Sequence, residues 1–497
     1  MGVLSAADAA VTEVWVQRYD GPAHGIDEAV AIAIDGSTNV YVAGNSSGNG
    51  SGNDFATIAY SSDGIPLWTN RYSGAGNGND SVLAIAVDIS NNVYVTGNTF
   101  AGSVNKSDYA TIAYSSEGLP LWTNRYNGTG SGDDSASAIT TDGSNNVYVT
   151  GGALGSGTGY DYVTIGYSSA GVPLWTNLYN GAGNGYDFAN AVATDRSGNV
   201  YVTGLSWRGA GNEYDYATVA YSGTGVPLWT NYYNGPSHYY DSATALLVTK
   251  SNDVIVTGVS FFGESGTDIT TLGYDNAGLP LWDQLHDGVE YTAQEPKSMT
   301  RDNDNGLYIT GNQRATNGYP DYLTVAYSST GMLLWTNLYN GPGDSWDESR
   351  AVAADAVSVY VTGYSQSGAS STTRDYLTIA YTSDGVPLWT NRYNGPTDSA
   401  DEAAAIVADQ NGNVFVTGKS GGDYATIKYS TFSPPASQIS IDIQMLGDLA
   451  VLSWTNVAFN LQTSPTVGGI YTNILGASSP YTNHTSGPQQ YFRLNLD

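Results

Sequence analysis

Short apolar runs separated by Gly, Asn, Asp and Ser follow one another along most of the chain. Between Asp80 and Tyr126, DSVLAIAVD is followed by VYVTG, DYATIAY and LPLWTNRY, divided by turn-rich stretches such as ISNN and SSEG. Runs of this length, rich in β-branched and aromatic residues and bounded by turn formers, predict strands. Four strands therefore make one unit. The unit recurs, with Trp15, Trp68, Trp122, Trp175, Trp229, Trp282, Trp335 and Trp389 standing 53 or 54 residues apart. A period near 50 marks a repeat array whose units bury their faces against one another.

Proline orders the strands within a unit. Pro66, Pro120, Pro173, Pro227, Pro280 and Pro387 open the fourth strand, and proline, which has no N–H, is tolerated at a strand start or on an edge. The fourth strand is thus the outer edge. The Ala-rich first strand is the innermost, where units crowd. Four-stranded units repeated radially make a β-propeller. The ends of the array are complementary: VTEVWVQRY has no strands of its own blade before it, and DYATIKY (423–429) has no tryptophan strand after it. Residues 11–19 are therefore expected to complete the last blade beside residues 423–429. The fold class is all-β, an eight-bladed β-propeller whose N-terminal strand closes the last blade.

The pattern D-x-A-x-A-I-A-V-D-x-S-x-N-V-Y-V-T-G, as in Asp80–Gly97 and Asp187–Gly204, resembles the SBBP repeat of secreted bacterial propeller proteins. The likeness extends over residues 11–430. That family was named for seven blades, and this chain departs from it with eight. The resemblance implies an extracytoplasmic bacterial propeller and carries no catalytic motif to transfer.

After Tyr429 the period stops. The organisation expected is an N-terminal remnant (1–10), the propeller (11–430), a stiff Pro-containing linker (431–437) and a small β-sandwich (438–497). Trp454 and Phe492 are the expected core of that sandwich. The closing GPQQYFRL makes this segment similar to fibronectin- or immunoglobulin-like modules, which implies a spacer, anchor or sorting element.

Composition narrows the partners. The formal charge is −30 although only 12% of residues are charged. A field of that sign repels phosphate, which disfavours nucleic acid and anionic membrane surfaces. No run of about 18 apolar residues exists for membrane insertion as a helix. Cysteine is absent, which removes disulfides and thiolate chemistry. Residues 1–10 lack a hydrophobic signal core, but their Ala-rich character suits a mature end left after export, with Met-Gly added. The expected location is extracellular or at the surface of a bacterial cell.

Candidate chemistry gathers on one face. The spacing from each tryptophan to the next strand-opening residue is constant, as is that from the third-strand Asp to the tryptophan. Only the loop between the second and third strands varies freely, from KSGG in blade 8 to YSQSGASSTTR in blade 7. It emerges on the same face as the connection between blades, and variable loops on a rigid scaffold are the usual place for recognition. Tyr186, Trp207, Tyr214, Tyr239, Tyr240, Phe261, Phe262, Tyr291 and Trp346 stand there, a lopsided aromatic platform for sugar rings unless they pack loop against loop.

A second constellation is the ring Asp27, Asp80, Asp134, Asp187, Asp241, Asp347 and Asp401, broken by Gln294. Facing the channel, it would invite Ca²⁺, which takes six to eight oxygen ligands. Bonding to backbone N–H groups is the favoured alternative. The third-strand acids Asp54, Asp108, Asp161, Asp215, Asp268, Asp321, Asp375 and Asp423 invite the same reading. Catalytic signals are sparse, since His24, His238, His286 and His484 share no ligand spacing. The leading expectation is a non-enzymatic binding scaffold for an extracellular glycan or surface polymer or protein. The alternatives are a polysaccharide-active hydrolase or lyase using carboxylates such as Asp347 and Glu348, and a self-assembling structural subunit of a surface layer or appendage.

Overall fold

The computed structural model describes residues 11–430 except 103–105, 131, 210–213, 264–265, 289–292, 316 and 368–373, together with six short segments between 442 and 496. Two compact units divide the chain, 1–431 and 432–497. In the first, eight four-stranded antiparallel sheets follow one another in sequence. Blade 1 runs Asp27–Ile34, Val40–Ser47, Asn53–Tyr60 and Pro66–Tyr72, and the next six repeat that order. The eighth is composite. Thr12–Tyr19 pairs with Asp423–Ser430, Thr12 opposite Ser430 and Tyr19 opposite Tyr424, as the complementary ends require.

The cores lie between blades. Tyr41, Ala43 and Phe55 of blade 1 pack on Val82, Val93, Val95 and Ile112 of blade 2, and equivalent clusters join every neighbouring pair around the ring. Because each blade is covered on both faces, the second and third strands read as nearly continuous apolar runs. The tyrosine of each VYV run is buried with its hydroxyl satisfied. Tyr94 donates to Asp88 at 2.8 Å and Tyr201 to Asp195 at 3.0 Å. The same aspartates accept backbone N–H groups two and four residues on, so the turn between first and second strands is an Asx turn.

The recurring tryptophan does more than fill space. Seven of the eight are half-buried and Trp389 is buried. Trp68 lies between Tyr41 of its own blade and Tyr114 of the next, with centroids 5.9 and 5.7 Å away. Its indole N–H reaches the carbonyl of Ser116 at 2.8 Å, while Asn70 clasps the carbonyl of Gly118 at 2.7 Å. Gly118 has φ of +81°, and a Cβ there would come within 2.5 Å of the Trp68 ring. The repeated G-x-P-L-W-T-N string is therefore a rim clasp from one blade to the turn of the next. At the seam the clasp is open, because blade 8 has no such turn. Among the described residues, Trp389 Nε1 and Asn391 Oδ1 have no partner.

In the second unit, Asp442–Leu446, Leu449–Ser453 and Tyr481–His484 form one three-stranded antiparallel sheet, and Thr472–Asn473, Phe459–Ser464 and Tyr491–Leu496 form another. Leu452 and Leu461 are buried. Phe492 pairs in register with Thr463, whereas Trp454 and the stretches 1–10 and 431–437 lie outside the described residues. No helix among the described residues is long and apolar enough to cross a membrane.

Candidate functional site

The face that carries the connections between blades is shaped first by its aspartates. Asp80 is buried and accepts from Gly74 N at 2.6 Å, Phe100 N at 2.8 Å and the Thr99 hydroxyl at 2.8 Å. Asp27, Asp134, Asp187, Asp241, Asp347 and Asp401 are equally buried and accept from the corresponding glycine N–H. The carboxylate thus plays the part of a backbone acceptor, pinning the connecting loop to the end of the second strand. Burial pushes Asp134, Asp187, Asp241 and Asp347 above the usual carboxylate range, and the N–H groups pull the other way. The seven are not gathered around one point. Among the described residues, the one acid trio within reach of a common ion is Asp20, Asp27 and Asp423. Each already has a partner, in His24, the Gly21 and Ser47 N–H groups, and Arg18 respectively.

The third-strand aspartates divide the ring in two. In blades 1, 2 and 7 the arginine seventeen residues later, on the outermost strand, neutralises the acid: Arg71 with Asp54 at 2.9 Å, Arg125 with Asp108 at 3.4 Å, Arg392 with Asp375 at 3.1 Å. Arg18 does the same for Asp423 in blade 8 at 3.2 Å. In blades 3 to 6 that position holds Leu178, Tyr232, Leu285 and Leu338. Deprived of that cation, Asp215, Asp268 and Asp321 are pushed up by burial to about 6. Blade 4 supplies a partial substitute in Arg208, 3.5 Å from Asp215 with its guanidinium 3.8 Å above the Tyr232 ring.

The aromatic residues concentrate on the same arc. Tyr160, Tyr186, Phe188, Tyr214, Trp207 and Tyr240 form one connected cluster across blades 3 to 5. Its centroid separations are 5.1 Å for Tyr160–Tyr186, 6.0 Å for Tyr186–Phe188, 6.3 Å for Tyr186–Tyr214, 5.2 Å for Trp207–Tyr214 and 5.7 Å for Tyr214–Tyr240. Tyr239 packs edge-on to Phe261 at 5.5 Å, and Trp346 meets Tyr319 at 6.0 Å. Tyr186, Tyr239, Tyr240, Tyr319 and Trp346 remain about 40–50% exposed. Trp207 instead lies against Gly183 and Gly185 of its own blade's loop, and Phe262 closes a turn to Gly266 at 2.9 Å. Tyr291 lies outside the described residues. Tyr160, Phe188 and Tyr319 were not anticipated from sequence, although each falls at a loop or strand end on this face.

Over blades 5 to 7 the rings border a cavity of about 400 Å³. Tyr240 and Trp346 stand at its sides, Ser242, Thr244 and Asn312 line it, and Glu295, Glu348 and Arg314 bring charge. Asp347 and Glu348 are consecutive on one strand and so face opposite ways. Asp347 points into the connecting loop, while Glu348 lines the cavity, held by the Tyr364 hydroxyl at 2.5 Å and Arg350 at 3.1 Å. His24, His238 and His286 do not line it. His24 and His238 occupy the left-handed turn position that Asn77, Asn184, Asp344 and Asp398 fill in other blades. His286 bonds Gln294 at 3.0 Å and Thr336 at 3.1 Å.

Among solved structures, the chain is similar to PorZ, described as an essential bacterial surface component of the type-IX secretion system of Porphyromonas gingivalis. The identity is 12% and the TM-score 0.44, covering 94% of this chain and 65% of that one; this chain thus spans just under two thirds of that protein's length. It is likewise similar to the polysaccharide lyase Uly1, at 10% identity and a TM-score of 0.44, covering 81% of this chain and 90% of that one. A search of curated proteins returns no match. The model of the beta-propeller repeat SBBP matches residues 15–50, 68–101 and 175–208. These stretches begin at the rim tryptophans Trp15, Trp68 and Trp175 and run through the innermost strand to the end of the second. The chain thus carries beta-propeller repeats of the SBBP type at these three places.

Proposed function

We propose that the protein is a non-enzymatic binding scaffold acting outside the bacterial cell, where the aromatic arc of blades 3 to 7 recognises an extracellular glycan or surface polymer. The observation that supports this reading is the coincidence, among the described residues, of partly exposed aromatic rings with a polar-lined cavity on one arc of the ring. Sugar rings present an apolar face that stacks on tyrosine and tryptophan, and their hydroxyls suit the Ser242, Thr244 and Asn312 lining. Exposed aromatic patches of this kind mark interaction sites. The rigid blades supply preorganisation, which keeps the ordering cost of binding low. The test is affinity electrophoresis against a panel of soluble polysaccharides, comparing the natural chain with Tyr240→Ala and Trp346→Ala. Each truncation is expected to weaken binding about thirtyfold, the size of an interface hot spot. Retardation unchanged in both folded variants, or the appearance of new sugar ends in the gel, would sink the reading.

A further inference from the structure

The cavity over blades 5 to 7 holds an unbalanced charge. Glu295 is paired with Lys297 at 2.7 Å, and Glu348 with Arg350 at 3.1 Å as well as with the Tyr364 hydroxyl. The next arginine along the ring, Arg374, is committed to Glu402 at 2.6 Å. Arg314 also lines the cavity, yet among the described residues its guanidinium meets no carboxylate; its backbone N–H donates to Ala293 O at 2.9 Å. In a chain with 16 basic and 46 acidic residues, a cation left without an acid is conspicuous. Its neighbours in the lining include Pro320, Trp346 and Tyr240, an apolar and aromatic wall beside a planar five-donor fork.

We propose that this cavity is a subsite for an anionic sugar, with Arg314 taking the carboxylate or sulfate of a ring seated against Trp346 and Tyr240. The inference rests on the glycan reading above and narrows its ligand class. Guanidinium binds such groups through two parallel N–H···O bonds, and its weak hydration favours that exchange over a lysine's. The overall charge of −30 opposes a polyanion at long range. At physiological ionic strength, however, exposed charges more than about 8 Å apart are largely screened. The field at the subsite is therefore set by its own lining, where, among the described residues, the two acids are already paired and Arg314 is the surplus.

The experiment is calorimetric titration of the full chain at physiological salt with three oligosaccharides of matched length: a hexuronate oligomer, a sulfate-ester oligomer and a neutral hexose oligomer. It is repeated with Arg314→Gln and Trp346→Ala. At least one anionic oligomer should bind about tenfold more tightly than the neutral one, the scale of a charge-assisted hydrogen bond. Whichever anion is preferred identifies the group that Arg314 takes. Arg314→Gln should erase that preference, and Trp346→Ala should weaken all ligands together. Equal binding of charged and neutral oligomers, or a preference that survives Arg314→Gln, overturns the inference while the glycan reading stands. Absence of binding by all three overturns both.

Discussion

Leu338 occupies the place that arginine holds in blades 1, 2, 7 and 8, seventeen residues after the third-strand aspartate. Replacing it should test how that half of the ring carries its acids. Asp321 is raised to about 6, first by burial and then by the charges of Asp347 and Asp344, and its Oδ1 is buried with no partner among the described residues. A folded-state pKa above the unfolded value of about 3.9 means that the native state holds its proton more tightly. Stability is therefore lost as pH rises from about 4 through 6, and the full cost is present above that. Leu338→Arg would supply the cation that Arg71 gives Asp54 at 2.9 Å. A shift of about two pKa units corresponds to a ceiling near 3 kcal/mol. Because Asp321 is half-buried and Arg71, the template, is 22% exposed, about 1–2 kcal/mol is the expected gain. Leu338 is 52% exposed, so removing it costs little. Urea unfolding of natural chain and variant at pH 4, 5.5 and 7.5 reads the effect as a difference that grows with pH, and Asp321→Asn in the Leu338→Arg background should cancel it. A gain equal at pH 4 and 7.5, or none at 7.5, would refute the electrostatic account.

Gly118→Ala forces a side chain into positive φ and against Trp68; about 2–4 kcal/mol should be lost, readable as a lowered unfolding midpoint, whereas Gly143→Ala, with open space around it, should be nearly neutral. Asp80→Ala strands the Gly74, Phe100 and Thr99 donors and should cost about 3–5 kcal/mol, since each buried donor left without a partner is worth roughly 1–3. Because Asp80 and its counterparts are engaged by N–H groups, adding a chelator should leave the melting temperature unchanged, and a clear drop would bring Ca²⁺ back to the ring. Removing residues 1–19 should expose the edge of Asp423–Ser430 and convert the chain to oligomers seen by light scattering, reversed by adding a peptide of residues 11–19.

The architecture was readable because every blade repeats the same compromise. A buried sheet needs period and turn chemistry, and both are printed eight times over, so the closure of residues 12–19 on 423–430 followed from counting. The rim clasp was not readable. WTN shows an indole and an amide but not that their partners sit in the following blade, because contact across blades is fixed by blade angle and not by pattern. The aromatic arc was half legible: Tyr186, Tyr240 and Trp346 project, but Trp207 folds onto Gly183 and Gly185, whose bare backbones admit a ring. One signal was present and passed over. The residue after WTN or its equivalent is arginine in one contiguous half of the ring and apolar or aromatic in the other, and with it goes the outer-strand ion pair to the third-strand acid.

The composite eighth blade places a demand on the order of synthesis. Thr12–Tyr19 is made about 400 residues before Asp423–Ser430, to which it pairs. At about 5–20 residues per second, the opening strand must wait some tens of seconds for its neighbour, whereas a hairpin forms in roughly 1–10 μs. Seven blades can thus assemble from the emerging chain in sequence while the ring stays open. Its first strand carries Glu13, Gln17 and Arg18 through that interval, polar insurance against pairing with whatever edge arrives sooner. Closure is then a single late event, and it is the arrival of Asp423–Ser430 that turns a stack of blades into a ring.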